Sequence, residues 1–311
     1  MGQYLIRRLI NTIIVLLGVV TLTFFLMRFT EGDPATIIAL DKYGGQLISP
    51  EVIEQLATGE GLNRPIYVQF FKWLKLISNG DFGHSLKSGA PVWDEIMLRF
   101  PYTLELAIIS VLITGLFGIP VGIYSAYYQD GWLDRITRLL ASVKVSIPNF
   151  YLAIICVLIF SVKLKILPSF GCDGPRHFIL PVLVLVISQI GFTIRIVRST
   201  VLEIFESEYV QYAYARGLST NRILFVHVLK NALIPVITYI SLQFLMTVEG
   251  AIIVETIFAW PGIGKLFQEA ILGRDFTMIQ ALVLFFAVLV CVVNFVVDIL
   301  YLAIDRRINF L

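Results

Sequence analysis

Six apolar runs, each near the roughly 20 residues that cross about 30 Å of hydrocarbon, recur along the 311-residue chain at about Leu9 to Met27, Leu104 to Tyr124, Ile136 to Val162, Phe178 to Ile194, Ala232 to Val254 and Met278 to Ala303. Lipid offers no hydrogen-bond partners, so a spanning segment must satisfy its own backbone, and each run reads as a helix. The expected fold class is an all-α membrane protein of six transmembrane helices. Composition excludes an ordinary cytosolic enzyme: 58% of residues are hydrophobic and 15% charged, against about 45–50% and about 25% in soluble domains. The formal charge of +2 leaves no basic surplus to attract nucleic acid. Cys156, Cys172 and Cys291 are an odd set without a CxxC pair, so neither a disulfide framework nor a zinc ribbon is supported. The first run is too long for a signal-peptide core and is followed by Arg28, so it is expected to stay as a helix.

Orientation follows from Lys and Arg in short loops, which resist translocation. With the N-terminus inside, the inner segments hold Arg7, Arg8, Arg135, Arg138, Arg195, Arg198, Arg216, Arg222, Lys230, Arg306 and Arg307. The two short outer loops hold only Lys163, Lys165, Arg176, Lys265 and Arg274. Both termini are therefore expected in the cytoplasm. The stretch 31–100 is long enough to escape the rule and slightly acidic, with six Lys/Arg against nine Asp/Glu, and reads as a small external domain. Within it Ser49-Pro50-Glu51 starts a helix, and Tyr67, Phe70, Phe71, Leu74 and Ile77 recur at helical spacing until Asn79-Gly80. The expected organisation is 1–30 (N-terminus and first helix), 31–100 (external domain) and 101–311 (core of five helices, with a cytoplasmic loop at 195–231). Gly118 and Gly122, a GxxxG pair around Pro120, and Pro148 inside the third span bear on helix packing.

The loop 195–231 carries the most information. Glu203, Glu206 and Glu208 precede a helical stretch that breaks at Gly217, and Ser219 offers an N-cap for a second helix leading into the membrane. Two short helices meeting at a glycine make a compact surface knob, either a solvated connector or a docking element for a cytoplasmic partner. The residues Glu208-Tyr209-Val210, Ala213-x-Ala215-Arg216-Gly217-Leu218-Ser219 and His227-x-Leu229-Lys230-Asn231-Ala232-x-x-Pro235 resemble the "EAA" loop of ATP-binding-cassette importer permeases, in the form of the peptide and nickel branch. The resemblance covers the whole chain: Gly32-Asp33-Pro34, Asp81-Phe82-Gly83-x-Ser85, Ser146-Ile147-Pro148-Asn149-Phe150, Leu167-Pro168, Ile179-Leu180-Pro181, Glu255-Thr256-Ile257-Phe258-Ala259-Trp260-Pro261-Gly262-Ile263-Gly264, Arg274-Asp275 and Asn294-x-x-x-Asp298 fall in family order. Departures are Gln211 and Tyr212 at the EAA glutamate and first alanine, Asp305-Arg306-Arg307 where Asp-Pro-Arg is usual, and Glu249 where a small residue is common.

The resemblance implies a type I binding-protein-dependent importer in a prokaryotic plasma (inner) membrane. Its parts would be two homologous permeases, two ATPase subunits that carry ATP and Mg, and an external substrate-binding protein. It implies coupling to the ATPases through Glu208, Ala213, Ala215, Gly217, His227 and Asn231, and no enzymatic activity in this chain. The sequence agrees independently that ATP is hydrolysed by another chain: the only Gly-Lys pair, Gly264-Lys265, is followed by Leu266 and lacks the first P-loop glycine. No cofactor is expected here. Short di- or oligopeptides are the preferred cargo, with nickel or a metal chelate as the alternative.

Polar groups within spans mark functional positions because lipid disfavours them, an acid near a helix centre costing about 2.5–3.5 kcal/mol on insertion scales. Gln189, Gln243, Glu249 and Asn294 are the candidates for the translocation pathway, with Ser188 and Asp298 in the same class. Glu249, facing a pore, would attract cationic cargo or a peptide amino terminus; the alternative is a carboxylate paired with a neighbouring chain. Cys172, Asp173 and His177 are the one conceivable metal set, at a spacing that matches no standard site. An intramembrane enzyme would need a nucleophile and base or a carboxylate pair at depth, and a secondary transporter would show inverted repeats; neither pattern is present.

Overall fold

The structure, a computed structural model, describes residues 2–28, 36, 49–60 and 63–304. These residues are almost entirely helical: α1 (Gly2–Arg28), α2 (Pro50–Glu60), α3 (Ile66–Ser78), α4 (Val92–Tyr127), α5 (Trp132–Val145), α6 (Asn149–Cys156), α7 (Pro175–Phe205), α8 (Glu208–Ala215), α9 (Thr220–Arg222), α10 (Leu229–Ile257), α11 (Ile263–Leu272) and α12 (Phe276–Ile304). A π-helical turn, Val157–Lys163, prolongs α6, and another, Ile223–Val228, joins α9 to α10. The motifs at Gly32-Asp33-Pro34 and Asp305-Arg306-Arg307 lie outside the described residues.

Among the described residues, five helical stretches are long and apolar enough to cross a membrane: Ile6–Met27, Val92–Tyr127, Pro175–Phe205, Thr220–Ile257 and Phe276–Tyr301. The sixth span differs from the continuous run expected at Ile136 to Val162. It is broken into Trp132–Lys144 and Asn149–Lys163, which meet at 103°. Pro148, at φ −60° and ψ 145°, explains the break, because proline has no N–H to give and disfavours helix in the residue before it. Other helices outrun their apolar cores. Helix α4 starts at Val92, inside the stretch assigned to the external domain, and α7 continues to Phe205. Arg195 and Arg198 are therefore helical rather than in a loop, since no glycine or proline follows Gly191 until Gly217.

The chain divides into two compact units. The first comprises the described residues up to Pro101 together with Leu266–Val292. Here the aromatic stripe of α3 finds its mate on α1: Phe70 and Trp73 lie 5.3 Å and 5.4 Å from the ring of Phe24, itself 2% exposed. Two motifs far apart in sequence converge in this unit. Asp275 caps α12 by accepting the Met278 N–H at 3.0 Å, and its other oxygen accepts the Ser85 hydroxyl at 2.5 Å. Ser85 closes the turn 83–92 by accepting N–H groups of Lys87 and Ser88.

The second unit comprises Tyr102–Lys265 and the described residues from Val293. Its core gathers Leu106, Ala153, Cys156, Leu180, Val184, Val254, Phe258 and Trp260. The GxxxG pair sets how closely α4 and α7 approach: a Cβ on Gly118 would stand 2.9 Å from Thr193 Cγ2, and one on Gly122 2.8 Å from Val197 Cβ. Helices α5 and α7 are joined by a buried ion pair. Arg198 donates from Nε to Asp134 Oδ1 at 2.5 Å and from a terminal nitrogen to Oδ2 at 3.0 Å, and Asp134 is 1% exposed. Removing one partner of a buried bidentate pair strands the other charge, so Asp134→Ala is expected to destabilise the subunit by about 3–5 kcal/mol. Thermal unfolding of the purified subunit in detergent measures it, and an unchanged transition contradicts the assignment.

Candidate functional site

The knob expected between α7 and α10 is built around α8. Glu208 opens its first turn, where an acid complements the helix dipole. Its end is a Schellman motif: Leu218 N–H donates to the Ala213 carbonyl at 3.2 Å and Gly217 N–H to the Tyr214 carbonyl at 2.9 Å. Gly217 takes φ +76°, the left-handed region that side chains with a Cβ disfavour. No atom lies within 4 Å of where its Cβ would be, so backbone conformation alone requires the glycine. Val210 (0% exposed) and Ala213 (6%) anchor α8 on a cluster with Val201, Ile223, Leu224 and Val228.

That anchoring divides the residues assigned to coupling. Ala213 is buried and structural in position, whereas Glu208, Ala215 and Gly217 are exposed together with Tyr209, Tyr212 and Tyr214. Asn231 donates from Nδ2 to the Tyr209 hydroxyl at 2.9 Å and to the His227 carbonyl at 2.8 Å, tying α8 to the start of α10. The Tyr209 partnership is not readable from spacing. Ser219 stands at the N-cap of α9, but its hydroxyl makes no cap hydrogen bond; its carbonyl accepts the Ile223 N–H at 3.0 Å.

Within the spans, Gln189 and Gln243 face each other between α7 and α10. Gln243 Nε2 donates to Gln189 Oε1 at 2.6 Å, Gln189 Nε2 donates to Thr247 Oγ1 at 2.8 Å, and Thr193 Oγ1 donates to Gln243 Oε1 at 2.8 Å. These groups satisfy one another in a clasp, with Gln243 4% exposed. Glu249 is placed differently. Thr247, Val248 and Ala251 beside it are buried, while Glu249 is exposed on the face that carries Leu242, Met246 and Ile253. Asn294 is half-buried on α12, one turn from Asp298. The broken span brings Ser188 into a further cluster: Lys144 Nζ donates to the Ile147 carbonyl and to Asn149 Oδ1, both at 3.0 Å, and Ser188 Oγ donates to Asn149 Oδ1 at 2.9 Å. The span reading passes over Lys144, the cation at the break.

Glu255, singled out only as part of a motif, is 0% exposed and organises the turn after α10. It accepts the Thr103 hydroxyl at 2.5 Å and the Lys265 N–H at 2.9 Å, and Thr103 in turn accepts the Ile263 N–H at 2.8 Å. Gly262 and Gly264 make room for the carboxylate: a Cβ on Gly262 would fall 2.2 Å from Glu255 Oε1. A glutamate followed by a Gly-x-Gly seven residues on is the signal that could have identified it. Cys172, Asp173 and His177 occupy the loop before α7; among the described residues no group of three His, Cys, Asp or Glu side chains is placed to hold a metal ion.

Among the described residues, five to six apolar helices with polar clusters held between them mark a multi-pass membrane protein. Residues 118–310 match the family described as binding-protein-dependent transport system inner membrane component, and residues 1–107 match its N-terminal region family. The chain belongs to this family and is a multi-pass inner-membrane permease subunit of an ATP-binding-cassette transporter. It is 38% identical over 318 residues to a putative peptide transport system permease protein of Brucella suis biovar 1, and 38% identical over 321 residues to the oligopeptide transport system permease protein AppB of Bacillus subtilis. It is also 39% identical over 310 residues to the glutathione transport system permease protein GsiC of Salmonella paratyphi A; in all three cases both chains are covered completely. Among solved structures, the inward-facing MetNI methionine ABC transporter shares the fold at a TM-score of 0.59 and 20% identity, over 70% of this chain and 99% of that one.

Proposed function

We propose that this chain forms half of the membrane pathway of an ATP-driven importer of short peptides, paired with a homologous permease, two ATPase subunits and an external binding protein. The observation that carries the reading is the end-to-end identity of 38–39% with permeases named for peptide, oligopeptide and glutathione transport. The exposed tyrosines and Arg216 of α8 are the surface offered to an ATPase. The segment between α1 and α4, with α2 and α3, faces outward and receives the binding protein. ATP and Mg belong to the ATPase subunits. Glu249, on an otherwise apolar face of α10, lines the pathway or meets the partner permease, because a carboxylate in a span must find water, a partner or a proton; the Gln189 and Gln243 clasp stiffens the wall behind it.

The test is uptake in proteoliposomes that hold both permeases and both ATPases, with the binding protein and a labelled di- to pentapeptide outside and ATP inside. ATP-dependent accumulation of peptide is expected. Accumulation of nickel chelates in place of peptide would move the chain to the other branch, and uptake by this chain alone would reject the multisubunit reading. Orientation is checked with Lys72→Cys in a background lacking Cys156, Cys172 and Cys291: an impermeant maleimide added to whole spheroplasts should label it, and protection until the membrane is permeabilised would reverse the topology.

A further inference from the structure

Arginines gather on one flank of the seam between α5 and α7. The two helices run antiparallel with their contacts in step: Asp134 meets Arg198, and a Cβ on Gly191 would stand 3.0 Å from Ala141 Cα. Successive residues turn by about 100° around a helix. Measured from the line of Asp134 and Ala141 on α5, Arg138 is displaced by about 40° and Arg135 by about 100°; measured from the line of Gly191 and Arg198 on α7, Arg195 is displaced by about 40° in the same sense. On antiparallel helices equal senses fall on the same flank, and the backbones at Arg135 and Arg195 stand within about 3 Å of one level. This flank of α7 is open. Helix α10 bonds to Gln189 and Thr193 and α4 packs on Thr193 and Val197, both on the other side of α7, while Phe192, Arg195 and Ser199 are exposed.

The cluster does not balance within itself. Asp134 holds Arg198, and Arg138 donates to Asp130 Oδ1 at 2.8 Å. Arg135 and Arg195 are exposed, and their guanidinium groups have no ion-pair or hydrogen-bond partner among the described residues. The next acid along the flank of α7, Glu203, lies two turns farther on. Depth decides what this surplus faces. From Pro175 to Arg195 is twenty residues of continuous helix and from Leu104 to Tyr124 another twenty, each about 30 Å and so one hydrocarbon thickness. Arg195 and Tyr124 therefore reach headgroup level at the same end of the bundle. Tyr124 and Tyr128, their rings 4.6 Å apart, and Trp132 are exposed there, as amphipathic aromatics are at membrane interfaces. The side of α5 turned away from α7 continues with exposed Ile136, Leu139 and Val143, an apolar surface for acyl chains. Helix α7 runs about 15 Å past Arg195 before α8 begins, which leaves the arginines short of a subunit docked on α8.

We infer that Arg135 and Arg195 hold the phosphate of an anionic phospholipid whose chains lie along the Trp132, Ile136, Leu139 and Val143 face of α5. Two guanidinium forks suit a phosphodiester, and the surplus charge favours an anionic headgroup over a zwitterionic one that carries its own cation. The site is independent of the cargo.

The test places the complete importer in phosphatidylcholine vesicles with increasing phosphatidylglycerol, one of the two lipids brominated on its acyl chains. Quenching of Trp132 is read as the difference between wild type and Trp132→Phe. Phosphatidylglycerol is expected to displace phosphatidylcholine from this site with about a tenfold preference. Arg135→Gln combined with Arg195→Gln should bring that preference close to one. Arg135→Lys combined with Arg195→Lys should keep most of it, which separates loss of charge from loss of folding. An unchanged preference in the glutamine variant overturns the inference. So does the absence of Trp132 quenching by either lipid, the result expected if the partner permease covers this face. Relief of the quenching by millimolar glycerol phosphate overturns it too, since the ligand would then be a soluble phosphate rather than a lipid.

Discussion

Replacing Gly217 with valine is expected to cut ATP-driven uptake in the reconstituted importer at least tenfold while leaving the subunit folded and in the membrane. The glycine holds φ +76° at the end of α8, and an L-residue with a Cβ pays about 1–2 kcal/mol there, more when branched at Cβ. No neighbour crowds the position, so relief comes from unwinding the Schellman turn, which frees the Ala213 and Tyr214 carbonyls and swings the exposed tyrosine face of α8. The core cluster around Leu106, Leu180 and Trp260 lies elsewhere, and Val210 and Ala213 stay on their own cluster. Uptake should fall by a factor of ten or more, about 1.4 kcal/mol or above in the docked population, with a thermal transition close to wild type. Gly217→Asn, which tolerates left-handed backbone far better, should retain much of the activity. Full activity in the valine variant would mean that α8 is not the coupling element.

Glu255→Ala should destabilise the second unit about as strongly as Asp134→Ala. The substitution leaves the Thr103 hydroxyl and the Lys265 N–H without their acceptor and opens a cavity where Gly262 and Gly264 close on the carboxylate. Buried donors left unsatisfied cost about 1–3 kcal/mol each and the void adds to them, giving a total of about 3–5 kcal/mol. Glu255→Gln keeps the volume and one acceptor, so its loss should be smaller, about 1–2 kcal/mol. Unfolding followed by intrinsic fluorescence suits the measurement, since Trp260 is fully buried in the same turn and its Nε1–H donates to the Tyr102 carbonyl. An alanine variant that unfolds at the wild-type temperature would show that the turn is held by packing alone.

How much of this was legible in the chain depends on the range over which each interaction acts. Apolar runs of spanning length are local facts, and lipid leaves a helix as their only solution; the spans, the α3 stripe and the short helix ending at Gly217 follow from residues a few positions apart. The family could be read for the same reason, since its motifs are contiguous strings. The extents of α4 and α7 were less visible, because polar residues continue a helix past the membrane wherever no breaker stops them. The depth of the break at Pro148 needed the fold, since a proline inside a span can kink a helix gently or sever it, depending on what satisfies the freed carbonyls.

Long-range pairings belong to the tertiary structure alone. Nothing in the string joins Asp275 to Ser85, Asp134 to Arg198, Tyr209 to Asn231 or Thr103 to Glu255. Each is a hydrogen bond between groups brought together by packing, and spacing carries no information about it. The same holds for the polar residues within the spans. Sequence marks Gln189, Gln243 and Glu249 alike as costly in lipid, yet the fold turns the two amides toward each other and leaves the carboxylate exposed without a partner among the described residues, because side chains on one helix diverge by about 100° per residue and only the neighbouring helices decide which of them meet. Hydrophobicity determined that this chain lives in a membrane as a set of helices; helix packing decided which of its polar groups are bonded to one another and which are left exposed.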